Sequence, residues 1–195
     1  MSEDVDLLGL MKHRWTARKF KDKDIPEEDL NKILEAGRWG PSGGNSQPWE
    51  LVIIKDGDVK EKVAQIYSEA MGMKNISTRY TTPPVLIAVC IDARIRDSYP
   101  ENMPVDFIIY ASIGSMVQNM SLMAAQLGLV ISWGTQPEEA QKELKELLEL
   151  PDHLEIPDIL QIGYPAQDRY SSDRRPVEEF THHDKIEEDK LREIK

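Results

Sequence analysis

Cysteine occurs once in the 195 residues, so no intramolecular disulfide can form. Cys90 lies inside Val85-Leu86-Ile87-Ala88-Val89-Cys90-Ile91, an apolar run that reads as a central strand, and is expected to be an inert core thiol. Histidine is nearly as scarce, and positions 13, 153, 182 and 183 lack the spacing to cysteines or carboxylates that a metal site needs. His182-His183 reads as a solvated pair. No Ser-His-Asp arrangement, Walker loop or zinc pattern is present. Basic charge is also short: 24 Lys and Arg against 35 Asp and Glu leave a net charge of −11, which argues against general nucleic-acid binding. An anion site must therefore be built locally, from the basic clusters at 12–23 and 174–175. No apolar run reads as reaching the ~18–20 residues that span a bilayer, and the N-terminus is acidic rather than a basic signal peptide. The expectation is a soluble cytoplasmic protein without a membrane partner. With 40% apolar and 30% charged residues, the chain is globular and fits one domain over 1–195.

What is present is concentrated between Arg38 and Trp49, in Arg-Trp-Gly-Pro-Ser-Gly-Gly-Asn-Ser-Gln-Pro-Trp. This loop follows a helical run and precedes Glu50-Leu51-Val52-Ile53-Ile54, a buried strand. Gly40, Gly43 and Gly44 permit close backbone approach or positive φ, while Pro41 and Pro48 fix φ on either side. Ser42, Asn45, Ser46 and Gln47 then offer donors and acceptors from a stiffened frame. A surface turn would explain the composition if the loop stood alone.

Along the chain, Val5 to Arg14 reads as a first helix carrying Leu7, Leu8, Leu10 and Met11, and its exit delivers Arg14, Thr16 and Arg18. Two guanidinium groups with a hydroxyl between them suit a phosphate monoester, though such a run is also what a solvated face looks like. Pro26-Glu27-Glu28 opens a helix packed through Leu30, Ile33, Leu34 and Gly37. A strand at 51–55 and a helix from about Val59 to Ala70 follow. Residues 71–80 have no clean period, which suggests a mobile lid or cleft wall. Phe107 to Leu127 is apolar nearly all round and reads as a buried helix capped by Asp106, its Met116, Met120 and Met123 serving as core filling. Leu129–Trp133 is a third strand, Thr135-Gln136-Pro137-Glu138 a capping box for the helix ending at Leu150-Pro151, and 159–165 a fourth strand with its turn. From Asp184 the tail is charged.

Two segments taken together, Arg14-Trp15-Thr16-Ala17-Arg18-Lys19-Phe20 and Gly40-Pro41-Ser42-Gly43-Gly44-Asn45-Ser46-Gln47-Pro48-Trp49, resemble in order and spacing the N-terminal signature of the FMN-dependent nitroreductase family. The similarity continues to Arg174-Arg175-Pro176. It implies an α+β fold, a central mixed, largely antiparallel sheet flanked by helices, with a C-terminal strand exchanged in a homodimer. It implies that Arg14, Thr16 and Arg18 hold the FMN phosphate and ribityl chain, with Trp15 contributing through its main chain and Arg174, then Arg175, as distal phosphate ligands. Pro41, Ser42, Asn45 and Gln47 would meet the flavin from the loop. Asn75 falls near the ring in the family but is equally a turn residue. Trp133, Gly134 and Thr135 match the segment along the isoalloxazine edge.

The chemistry so implied is ping-pong. NAD(P)H delivers hydride to flavin N5, and an electron-poor small molecule then occupies the same cleft, with no protein nucleophile required. Two other readings stay open: a specialised flavin branch such as a reductive dehalogenase or flavin-fragmenting enzyme, and a non-catalytic flavin-binding or storage protein. The iodotyrosine-acting dehalogenases carry a Glu-x-x-x-Tyr in a longer lid, and the stretch from Gln65 to Thr82 has none.

Overall fold

The computed structural model describes residues 6–170 and 172–192. Helix α1 (Leu7–His13) starts where the Asp6 carboxylate accepts the Gly9 N–H at 2.7 Å; the expected start at Val5 lies outside the described residues. Helix α2 (Glu27–Arg38) has Glu27, Glu28 and Asp29 at the positive end of its dipole and buries Leu30, Ile33 and Gly37. Strand β1 (Trp49–Ile54) leads to α3 (Gly57–Ala70), capped by Asp56, then the short α4 (Thr78–Thr81) and β2 (Val85–Asp92). The long α5 (Val105–Gln126), β3 (Val130–Ser132), α6 (Gln141–Leu147) and β4 (Leu154–Gly163) complete the order.

The sheet runs β1-β2-β4-β3, and each of its three pairings is antiparallel. The α+β class is as expected, but the sheet is antiparallel throughout among the described residues. Alternation along β2 and β4 splits the interior into two layers. Ile87, Val89, Ile91, Leu160 and Ile162 face α2 and α5, while Leu86, Ala88, Cys90, Ile156 and Ile159 face α3, α4 and α6. A fully buried Ile or Leu contributes roughly 1.5–3 kcal/mol, so β2 and β4, covered on both faces, carry much of the stability. Cys90 is wholly buried, and burial pushes its thiol up to about 11, as befits an inert core residue.

Helix α5 departs from the sequence expectation in two ways. Asp106 is not its cap: Pro104 holds that position, and the Asp106 carboxylate instead accepts from Arg96 Nε at 2.8 Å. It is not buried all round: Ile109, Met116, Val117 and Met120 are core, yet Phe107 is 73% and Tyr110 50% exposed, and a Cβ at Gly114 would meet open space. Its 22 residues also hold a stretch long and apolar enough, by length and composition alone, to cross a bilayer, a test that the core helix of a globular protein passes too. Here it packs against α2 and the sheet.

The capping box at 135–138 does not form. Thr135 is held in a bridge to Asp158, where its hydroxyl donates to Oδ1 at 2.9 Å, and Pro137 precedes a 3-10 turn at Glu138–Ala140. Beyond β4 the described residues form a bridge at Pro165 to Phe20 and the 3-10 turns Val177–Glu179 and Glu188–Lys190, with no C-terminal strand among them.

Candidate functional site

The basic segment reaches its place because two stretches of chain zip together. Lys21 N–H donates to Tyr164 O at 2.8 Å and Ala166 N–H to Lys19 O at 2.9 Å, while Ala17 and Phe20 bury against Val130 of β3. The Arg18 N–H donates to Gln167 Oε1 at 3.1 Å. This pairing sets Arg14 opposite Arg169, Tyr170, Ser172 and Arg174 around a cavity of about 390 Å³, lined also by Lys12 and Trp15. Trp15 and Tyr170 meet edge to face with centroids 5.7 Å apart, and Arg169 donates to the Lys12 carbonyl. Among the described residues, none of these four cations forms a salt bridge with a carboxylate. In a chain of net charge −11, four cations around one cavity make a site for a multiply charged anion.

The other basic candidates fall elsewhere. Arg18 is exposed and Thr16 half-buried, and neither lines this cavity. Arg175 turns away toward the Glu179 carbonyl, 2.5 Å from its guanidinium, and lies over the Phe180 ring. Asn75 is exposed in the turn between α3 and α4.

The glycine-rich loop sits apart, against α5. At Gly40 a Cβ would come within 2.7 Å of Met116 Cα, so the end of α2 can touch α5 only without a side chain there. Gly44, Asn45 and Gln47 take φ of 56°, 54° and 46°, left-handed conformations that are uncommon for non-glycine residues and cluster at functional sites. Within the loop, Gln47 N–H donates to Ser42 Oγ at 3.1 Å and Gln47 Nε2 to Asn45 O at 3.3 Å. Ser46 Oγ is buried without a partner. No residue of 41–47 lines the Arg14 cavity.

The 133–135 segment is fixed by side chains that the sequence reading missed. Arg79 donates to the Trp133 carbonyl and, through Nε, to Gln161 Oε1 at 3.2 Å. Gly134 O accepts from Ile159 N–H at 2.9 Å and from Gln136 Nε2, which also donates to the Tyr80 hydroxyl at 2.9 Å. Burial pushes the Tyr80 phenol up to about 12 and raises the Asp158 carboxyl, the latter offset in part by Thr135 and Arg79. Beside this cluster lies a cavity of about 850 Å³ lined by Tyr110, Thr135, Gln136, Gln141, Lys142 and Asp158 among others. The available signal was three polar residues, Gln136, Asp158 and Gln161, within or beside apolar strands.

No group of three His, Cys, Asp or Glu side chains that could hold a metal occurs among the described residues. His182 is half-buried rather than solvated, its Nδ1 accepting the Glu187 N–H at 3.2 Å.

Comparison with known proteins matches residues 11–164 to the Nitroreductase family. A Methanothermobacter thermautotrophicus protein, provisionally named an NADH dehydrogenase/NAD(P)H nitroreductase, is 31% identical over 90% of this chain and 88% of its own length. A Nematostella vectensis iodotyrosine deiodinase is 28% identical over 87% of this chain and 72% of its own. A solved Desulfovibrio desulfuricans structure, described as a nitroreductase in complex with FMN, superposes with a TM-score of 0.76 at 27% identity, covering 94% of this chain and 99% of that one. With 154 of 195 residues inside the family profile and such relatives across nearly its whole length, the chain belongs to the nitroreductase family.

Proposed function

We propose that this protein is an FMN-dependent NAD(P)H oxidoreductase that reduces electron-poor small molecules such as nitro compounds or quinones. The observation that carries the reading is the cavity where Arg14 and Arg174 converge with Lys12 and Arg169 in an acidic chain. Its charged groups are all cationic and its three arginines are forked, which fits a phosphate monoester and would fit no uncharged group as well. FMN, when bound, supplies the redox chemistry, accepting hydride from NAD(P)H and passing two electrons to the acceptor.

The chain's own residues bind and orient. Arg14 and Arg174 would hold the phosphate, with Arg18 and Arg175 requiring a rearrangement to join them. The main chain of 133–135, locked by Arg79, Gln136 and the Ile159 N–H, is a rigid polar edge suited to the flavin ring. Ser42, Asn45 and Gln47 present further polar groups from the loop.

Because that loop and the Arg14 cavity are separate within one protomer, we place the complete site in a homodimer, the loop of one subunit closing over the cofactor held by the other. The exposed apolar face of α5, with Phe107, Tyr110 and Gly114, supports the same assembly, as do Val177 and Phe180, exposed at 65% and 53%, for an exchanged tail. We place the activity in the cytoplasm.

A second reading, reductive deiodination, is favoured by the iodotyrosine deiodinases among the relatives. The test is direct. Purified protein should be yellow with about one FMN per protomer, should bleach with NADH or NADPH without oxygen, and should regain its colour with a nitro compound or quinone. Recovery with iodotyrosine alone would favour the second reading. Flavin that binds but never bleaches would indicate a storage protein, and protein that neither carries nor takes up FMN would end the proposal.

A further inference from the structure

We propose that Tyr99 is a positioning residue for this site, its hydroxyl holding the 42–47 loop in the conformation that meets the flavin; the inference rests on the cofactor reading above. Gly43 is gripped on both sides of its residue. Its N–H donates to Ser112 Oγ at 3.3 Å and its carbonyl accepts the Tyr99 O–H at 2.7 Å. The first contact comes from α5, where Ser112 Oγ itself donates to Ile108 O at 2.6 Å. The second comes from the segment between β2 and α5. A Cβ on Gly43 would lie 2.2 Å from Ile108 Cγ2, so the backbone is pressed flat onto α5 where the loop begins.

Immediately after this anchor the chain enters its left-handed stretch. Conformations of that kind persist in non-glycine residues only where the surroundings over-determine them. The loop's own bonds, Asn45 N–H to Ser42 O and Ser46 N–H to Gly43 O at 3.0 Å each, Gln47 N–H to Ser42 Oγ at 3.1 Å and a long Gln47 Nε2 contact at 3.3 Å, set its internal shape. The external holds on Gly43 fix where that shape sits against α5, and so where Asn45 and Gln47 are presented.

Tyr99 can serve because it is itself fixed. Its N–H donates to Arg96 O at 3.3 Å, and Arg96 is clamped by both Glu155 oxygens, at 2.8 and 2.9 Å, and by Asp106 at 2.8 Å. The chain of contacts runs from β4 and α5 through Arg96 and Tyr99 to the Gly43 carbonyl. A bidentate ion pair of this kind gives the phenol a defined approach, and one hydroxyl converts that approach into loop geometry. The ring is half-buried, so Tyr99→Phe keeps its packing and removes only the hydrogen bond.

The experiment titrates FMN and riboflavin into apo wild type, Tyr99→Phe and Ser112→Ala, following flavin fluorescence, with the thermal midpoint of each apo protein and the visible spectrum of each complex. Losing one such hydrogen bond should weaken both ligands by the same factor, about 3- to 10-fold, because the loop meets the part they share and not the phosphate. Bound flavin in Tyr99→Phe should shift its visible bands toward those of free flavin, with the apo midpoint little changed. Wild-type affinity and spectrum in Tyr99→Phe, whatever Ser112→Ala does, would overturn the role of Tyr99 and leave the site reading standing. Loss of FMN alone, with riboflavin untouched, would also overturn it, by placing the effect at the phosphate. Wild-type protein that binds neither flavin would overturn the site reading and this inference together.

Discussion

Gly134→Ala is a sharp test of how tightly the 133–135 edge is packed. An added Cβ would lie 2.4 Å from Gln161 Nε2, 2.6 Å from the Ile159 carbonyl and 2.6 Å from the Tyr80 hydroxyl. None of these can yield freely. Gln161 Nε2 is bonded to Ile159 O at 2.5 Å, that carbonyl belongs to the central strand β4, and Tyr80 is fully buried. Overpacking of this kind typically destabilises by about 1–3 kcal/mol, and three simultaneous overlaps put the expected value at about 2–3 kcal/mol. For a chain of this size each kcal/mol lowers the thermal midpoint by roughly 2–4 °C, giving a fall of about 4–12 °C. The assay is thermal denaturation followed by circular dichroism, at matched protein and flavin concentrations because binding and association both move the midpoint. Gly57→Ala is the control, since a Cβ there meets nothing within 4 Å and should leave the midpoint unchanged or slightly raised. A Gly134→Ala midpoint indistinguishable from that control would refute the packing argument.

Two further predictions concern polar side chains packed beside β4 or within it. Gln141 bonds both backbone groups of Ile156, its Nε2 donating to the carbonyl at 2.7 Å and its Oε1 accepting the N–H at 3.0 Å, so it stands in for a missing neighbour strand beside β4; Gln141→Ala should cost about 1–3 kcal/mol in urea unfolding, and an unchanged midpoint would show that water substitutes. Asp158 has a carboxyl raised above its ordinary 3.8 by burial, so the folded state binds the extra proton and stability falls as pH rises from there through the folded value; Asp158→Asn should therefore be more stable relative to wild type at pH 7 than at pH 4, and an equal difference at both would contradict the assignment.

The alternating apolar strands and the helices with a strong stripe were legible in the sequence, because local period alone sets them. Cys90 in a strand buried on both faces and Met116 and Met120 in the core followed from composition. What sequence could not supply was competition between partners distant in the chain. Thr135 carries a capping pattern, yet a buried carboxyl 23 residues away takes its hydroxyl; Asp106 sits in a capping context, yet Arg96 takes its carboxylate. The convergence of Arg14 with Arg174 was expected by resemblance and Lys12 lay in the basic cluster that charge singled out, while Arg169 in the same cavity was not expected, since its position in sequence says nothing until 18–21 pairs with 164–167. Arg79, Tyr80, Gln136 and Gln161 went unnoticed because a satisfied polar network has no local signature.

The central claim is that Arg14 and Arg174 hold the phosphate of a bound FMN, and it is tested most directly by comparing FMN with riboflavin on wild type, Arg14→Ala and Arg174→Ala. Losing one charge-assisted contact to phosphate should remove roughly 1.5–3 kcal/mol, or ~10- to 150-fold in FMN affinity, while riboflavin binding stays within about 2-fold of wild type. An equal loss for both ligands, or none for either, would contradict the assignment.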